Sequence, residues 1–193
     1  MGIPAALLFI GIVRRGKVLW ATLAGIAAVI VGLIPLAGTE RIASLLQTGQ
    51  GTTFLRLNLW RSAWAMIRDH PLRGIGLDNF LYVYRSRYIL PAAWEERNLS
   101  HPHNILLDWW TRLGILGLVA LVWLLAAFFA GAARLYRRAT DPTVRALVLG
   151  LMASMVNFLA HGLVDNSFFL TDLALVFALT LGAVALLKRE RAA

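Results

Sequence analysis

LGILGLVALVWLLAAFFAGAA, running from Leu113 to Ala133, is 21 residues without a single charge. A helix that crosses a bilayer needs about twenty predominantly apolar residues, and this run supplies them. Moving outward, Arg134-Leu135-Tyr136-Arg137-Arg138 closes it on the C-terminal side. A further span covers Ala146 to Val164, a polar turn follows at Asp165-Asn166-Ser167, and a last span ends at Leu187 before Lys188-Arg189-Glu190-Arg191. On the N-terminal side Val18 to Gly38 is a full span, whereas Ile3 to Val13, with 11 residues, is half of one. The expected fold class is all-α: a polytopic transmembrane helical bundle with a large extracytoplasmic loop that contains amphipathic helices. Residues 1–38 hold one partial and one full span, 39–112 the loop, and 113–193 three spans.

Composition agrees. Hydrophobic residues make up 59% of the chain and mean hydropathy is +0.69, both above the range of soluble domains. There is no cysteine, which excludes disulfides, thiolate metal sites and a thiol nucleophile. The net charge of +9 sits in short clusters beside apolar runs, a pattern of membrane topology and lipid headgroups and not of nucleic-acid binding. Arg14–Lys17, Arg134–Arg138 and Lys188–Arg191 fall on one side, expected to be cytoplasmic, so the long loop faces outward. Met1 would then lie outside the cytoplasm ahead of half a span. That arrangement leads to the expectation that Met1 is internal to a longer chain whose N-terminal transmembrane helices are missing here.

Within the loop, Thr53 to Asp69 has helical periodicity, with Leu57, Trp60, Trp64 and Ile67 on one apolar stripe and Arg56, Arg61 and Arg68 along its edges. Such a helix suits the membrane interface, with indoles at headgroup depth and guanidinium groups at phosphates. His70-Pro71 ends it, because proline disfavours helical geometry in the residue before it. Pro71-Leu72-Arg73-Gly74-Ile75-Gly76 then reads as a tight turn, and Tyr82, Tyr84, Arg85, Arg87 and Tyr88 as a basic aromatic patch suited to sugars, lipid phosphates or the interface. His101-Pro102-His103 lacks a clear third ligand for a metal. His103-Asn104 is expected to begin the helix that continues through Trp109-Trp110 into the next span, which places His103 as a candidate general base. Asn157, His161 and Asp165 recur every four residues and share one helix face. Ionisable groups so near a bilayer point to a polar interhelical or functional role.

These residues carry a resemblance. Arg56 with Trp60 and Trp64, then Asp69-His70-Pro71-Leu72-Arg73-Gly74-Ile75-Gly76 and Phe80, then His103-Asn104 and, nine residues on, Gly114-Ile115-Leu116-Gly117, resemble the O-antigen ligase and O-antigen polymerase (Wzy-type) superfamily. The resemblance covers most of the chain from Arg56 onward, including His161 to Asp165. It implies an integral-membrane glycan transferase. The donor would be a glycan on undecaprenyl diphosphate and the acceptor a lipid A core, a growing polysaccharide or a protein, on the periplasmic face of the bacterial inner membrane. It implies His103 as the catalytic histidine and Arg56 as a residue engaging the diphosphate. A further arginine that the family draws from earlier spans has no counterpart in this chain.

The residues themselves fit that chemistry. A donor outside the cytoplasm must carry its own leaving group, and arginine, which binds phosphate bidentately and keeps its proton, can stand in for a metal ion. Arg73, Arg85 and Arg87 are further candidates for substrate binding, with Asn104, His161 and Asp165. No Asp-x-Asp pair is present among Asp69, Asp78, Glu95, Glu96 and Asp108, so a metal-independent reaction with no cofactor is expected. The alternatives are a component of a lipid-carrier transporter, in which the same arginines only bind, and an inactive fragment of a transferase. A transporter would spread polar groups through its spans at mid-depth, whereas here they gather in the loop.

Overall fold

The structure is a computed structural model and describes residues 2–36, 51–165 and 168–190. The first part of the expected loop, up to residue 50, lies outside the described residues, as do Asn166, Ser167 and Arg191. The described residues are helices and turns, with no strand among them. Among the described residues four helices are long and apolar enough to cross a membrane: α2 (Gly16–Leu33), α5 (Ile105–Arg138), α6 (Pro142–Gly162) and α7, which spans Thr171–Glu190. α1 (Gly2–Arg14) is apolar but shorter. Their outward residues are those of a lipid-facing surface, Trp20 being 72% and Trp123 71% exposed. Large apolar side chains left open in this number along helices of spanning length belong in hydrocarbon. This is a multi-pass helical membrane protein.

Two units make up the chain, residues 1–27 with 122–193 and residues 28–121. In the first, α1 runs antiparallel to α6. Gly2 lies so close to Asn157 that a Cβ would come within 2.7 Å of the Asn157 carbonyl oxygen, and at the other end Arg14 lines one cleft with Pro142 and Arg145. Phe9 packs edge-on against Phe129 of α5, and Phe158 of α6 against Phe177 of α7. The buried layer between them is Leu135, Val148, Leu149, Met152, Met155, Phe177 and Val184. α6 starts where the sequence dictates. Asp141 accepts a hydrogen bond from the Thr143 N–H at 2.8 Å, and Pro142 fills the first turn, where no N–H is needed.

The second unit is built on α3 (Gly51–Asp69). Leu59, Ala63 and Met66 of α3 close on Phe80 of the one-turn helix α4 (Phe80–Val83) and on Tyr84, whose rings stack at 5.8 Å. A π-helical turn over Tyr84–Tyr88 and a 3-10 turn over Pro91–Glu96 complete the cover. The buried face of α3 differs from the expected one. It consists of Asn58, Leu59, Ser62, Ala63, Met66 and Ile67, so that of the expected stripe only Ile67 joins it. Ala63, with Leu59 and Met66, takes the Phe80 and Tyr84 rings, and the Ser62 hydroxyl donates to the Tyr88 carbonyl at 2.7 Å; indoles at these positions would not fit. Leu57, Trp60 and Trp64 instead line an open cleft of about 420 Å³ with Arg61 and Arg68. Tyr84, expected on a surface patch, is fully buried, whereas Tyr82, Arg85 and Arg87 are exposed.

The 34 residues of α5 measure about 51 Å at 1.5 Å each, well beyond a hydrocarbon core of about 30 Å. The helix is broken at Gly114, where φ is 70° and ψ −170°. The Pro71–Gly76 turn bonds to the backbone on both sides of that break.

Candidate functional site

An unbroken helix would direct the Ile115 N–H to the Thr111 carbonyl and the next N–H to that of Arg112. At Gly114 these acceptors are released, and the Pro71–Gly76 turn takes them. Ile75 N–H donates to Thr111 O at 2.8 Å and Gly76 N–H to Arg112 O at 3.0 Å, while Ile115 N–H turns to Pro71 O at 2.9 Å. The Trp110 indole N–H reaches the same Pro71 carbonyl at 3.3 Å. Two glycines make this contact possible. A Cβ on Gly74 (φ 66°) would stand 2.6 Å from the carbonyls of Thr111 and Arg112, and one on Gly114 would overlap the Leu72 carbonyl. The turn and the helix break are therefore two halves of one joint.

Arg112 locks the joint from inside. Its side chain is 6% exposed. Nε donates to Asp108 Oδ1 at 2.7 Å and Nη2 to the Ser100 carbonyl at 2.6 Å, and Nη1 donates to the Leu77 carbonyl and lies 4.0 Å from Asp78. A buried guanidinium with a carboxylate and two carbonyls around it meets the requirement that buried charge be paired and hydrogen-bonded. Neither Asp108 nor Arg112 stood out in the sequence as a functional pair. Their four-residue spacing on a helix was the available signal, and nothing in it says that the pair is buried.

Ser100, held by Arg112, leads directly into His101-Pro102-His103. The Pro102 carbonyl accepts the Trp60 indole N–H at 2.9 Å, which ties this segment to α3. His101 and His103 pack edge to face with ring centroids 4.3 Å apart, and His101 Nδ1 lies 3.1 Å from the Ser100 hydroxyl. His103 adopts φ 51°, in the left-handed region that few residues other than glycine enter. Asn104 then caps α5, its Oδ1 accepting from the N–H groups of Leu106 and Leu107, each at 3.1 Å. His103 is thus fixed between a tethered proline and a capped helix.

Arg56 stands one turn before Trp60 on the same face of α3, about 6 Å along the helix, and is half-buried. The structure therefore brings the helix of Arg56 and the segment of His103 together through one hydrogen bond. Arg73 is exposed on the docked turn, and Arg85 and Arg87 are exposed on the π-helical turn. Arg85 lines a separate cleft of about 320 Å³ with Leu81, Tyr82, Ser86 and Trp94. Tyr88 donates from its hydroxyl to Asp69 at 2.7 Å, which, with burial and the Asp69 charge, raises its pKa above the usual tyrosine value against the opposing pull of Arg87. Burial, helped by the Glu96 charge, raises that of Tyr84. His161 and Asp165 belong to the first unit, at the end of α6. Their side chains are 3.9 Å apart, and the Asp165 N–H donates to the His161 carbonyl at 3.0 Å.

The family model described as O-antigen ligase matches residues 1–122, well over half of the chain. The chain belongs to the O-antigen ligase family. It is 32% identical over 130 residues to the O-antigen ligase of Salmonella typhimurium strain LT2, an alignment that takes in 66% of this chain. The chain spans 31% of the length of that relative. The stretch matched by the O-antigen ligase family contains Arg56, the docked Pro71–Gly76 turn, His103 and the Gly114 break, and it ends ahead of His161 and Asp165.

Proposed function

We propose that this chain carries the catalytic loop of a membrane glycan ligase that takes its glycan from an undecaprenyl-diphosphate carrier. The observation that carries the reading is the Trp60–Pro102 hydrogen bond, which sets the His103 segment against the helix that bears Arg56. In the reaction the acceptor hydroxyl oxygen attacks the anomeric carbon as the bond from that carbon to the diphosphate oxygen breaks. The electron pair leaves with undecaprenyl diphosphate, the hydroxyl proton passes to a ring nitrogen of His103, and the anomeric configuration inverts. Arg56 binds the diphosphate as its charge grows, through two parallel N–H donors matched to phosphate oxygens. Arg73, Arg85 and Arg87 are further contacts for the anionic part of the donor. Asn104 serves the site by capping α5, and His161 with Asp165 forms a second polar pair open to substrate. The loop faces the periplasm and the basic clusters face the cytoplasm, as charge bias requires, in the inner membrane of a bacterium. The acceptor is a hydroxyl on a lipid A core, a polysaccharide or a protein.

The test is glycan transfer from an undecaprenyl-diphosphate-linked oligosaccharide in membranes that contain the intact gene product. His103→Ala is expected to lower the rate by about 10²–10⁴, the usual share of a general base, with donor binding retained. Arg56→Ala is expected to weaken donor binding as well. EDTA is expected to leave the rate unchanged. Equal transfer by the wild type and His103→Ala would remove His103 from the chemistry, and donor binding without transfer in both would favour a transporter component.

A further inference from the structure

Within the first unit, the ends of α1, α5 and α6 converge on a cleft that the glycan chemistry does not use. Val13 and Arg14 close α1, Tyr136 stands in the last turns of α5, and Pro142 and Arg145 open α6. Together they line a cleft of about 430 Å³ with a mostly polar wall. The Arg145 guanidinium lies over the Tyr136 ring, 5.0 Å from its centroid. Stacking of this kind holds a guanidinium in place while leaving its N–H edge open. Among the described residues that line the cleft none is acidic.

The surrounding charge is predominantly positive. Segments 14–17 and 134–145 contain seven cations (Arg14, Arg15, Lys17, Arg134, Arg137, Arg138, Arg145) against a single acid, Asp141. Asp141 is already engaged, capping α6 through the Thr143 N–H. The helix terminus is thereby satisfied by the chain itself, and the positive potential of the cleft comes from guanidinium groups. α5 and α6 are of membrane-spanning length, so their charged ends meet the bilayer at headgroup depth, where phosphate is the abundant anion. Basic pockets between spanning helices at that depth take anionic headgroups.

We propose that this cleft is a specific binding site for the phosphodiester headgroup of an anionic phospholipid, gripped by Arg14 and Arg145. The two guanidiniums come from helices that run antiparallel, α1 and α6. A bound phosphodiester bridges them and fastens the short helix α1, which at 13 residues is too short to anchor itself across a bilayer.

The experiment is native mass spectrometry of the purified chain titrated with phosphatidylglycerol, cardiolipin or phosphatidylcholine. The expected result is one retained anionic lipid per chain, bound at least tenfold tighter than phosphatidylcholine. In Arg14→Gln/Arg145→Gln the anionic preference falls at least tenfold. In Arg137→Gln/Arg138→Gln, which removes equal charge outside the cleft, it stays within twofold. Equal losses in the two double variants would mean diffuse attraction to a basic surface and would overturn the site. Displacement of the lipid by millimolar inorganic phosphate would make it a soluble-anion site and overturn the lipid assignment. Circular dichroism checks the helix content of each variant. Should the Arg14/Arg145 pair fail to fold, Tyr136→Leu keeps both charges, removes only the stacking platform, and is expected to weaken lipid binding severalfold; unchanged binding would then count against the proposal.

Discussion

Replacing Gly114 with alanine tests the joint between the Pro71–Gly76 turn and α5. The added Cβ overlaps the Leu72 carbonyl and stands 2.6 Å from Arg73 N. These are backbone atoms, so no side-chain rotation relieves the clash, and φ 70° with ψ −170° is a conformation that residues other than glycine avoid. The chain can respond by separating the two segments. That breaks the bonds from Ile75 to Thr111, Gly76 to Arg112 and Ile115 to Pro71, each worth about 1 kcal/mol net. Remaining in place instead costs strain of about 1–3 kcal/mol for the backbone alone. The first course costs about 3 kcal/mol and the second adds the overlap with the Leu72 carbonyl to the strain, so a loss of about 3 kcal/mol is expected, a large part of the 5–15 kcal/mol that typically separates folded from unfolded domains. Denaturant unfolding in detergent micelles measures it, with tryptophan emission as the signal because Trp110 bonds to Pro71. Gly150→Ala is the control. It lies in α6 with nothing within 4 Å of a new Cβ and should be neutral or stabilising by up to about 1 kcal/mol. If Gly114→Ala comes within about 1 kcal/mol of the wild type, the helix break does not hold the turn and the account of the joint is wrong.

Arg112→Gln leaves Asp108 buried without its cation and should cost about 3–5 kcal/mol; adding Asp108→Asn should recover part of that loss, as a double-mutant unfolding cycle would reveal. Trp60→Phe keeps an aromatic ring, smaller than the half-exposed indole, but removes the N–H that holds the Pro102 carbonyl, so unfolding should move by about 1 kcal/mol while glycan transfer falls severalfold. Because the folded state raises the Tyr88 pKa, the tyrosine proton favours the folded form. Its stabilising contribution is complete below the ordinary tyrosine value of about 10 and is lost as pH climbs through the raised one. Ultraviolet titration of Tyr88→Phe should therefore lack one late-ionising tyrosine, and its alkaline unfolding should show less dependence on pH.

Much of the architecture could be read directly from residue order. Uninterrupted apolar runs of about twenty residues have one outcome in a bilayer, so the helices of spanning length were legible in the sequence. The break in α5 was not read, because the apolar run simply continues through Gly114. The motif residues Pro71–Gly76, His103 and Gly114 were visible as a pattern, but their spacing could not say that the turn and the helix break bind each other.

What the linear order determined, then, is an all-helical architecture with apolar helices of membrane-spanning length, the start of α5 at a capping asparagine, and the placing of His103 just ahead of it. These depend on local composition and on contacts within a turn of helix. Tertiary structure alone decided which face of α3 is buried, because Phe80 and Tyr84 close over Leu59, Ala63 and Met66, and it turned the Trp60 indole to the Pro102 carbonyl. It also decided the partners of Arg112. A guanidinium that joins a carboxylate one turn away to carbonyls 12 and 35 residues distant is set by where the loop folds back, and helical periodicity carries no record of that.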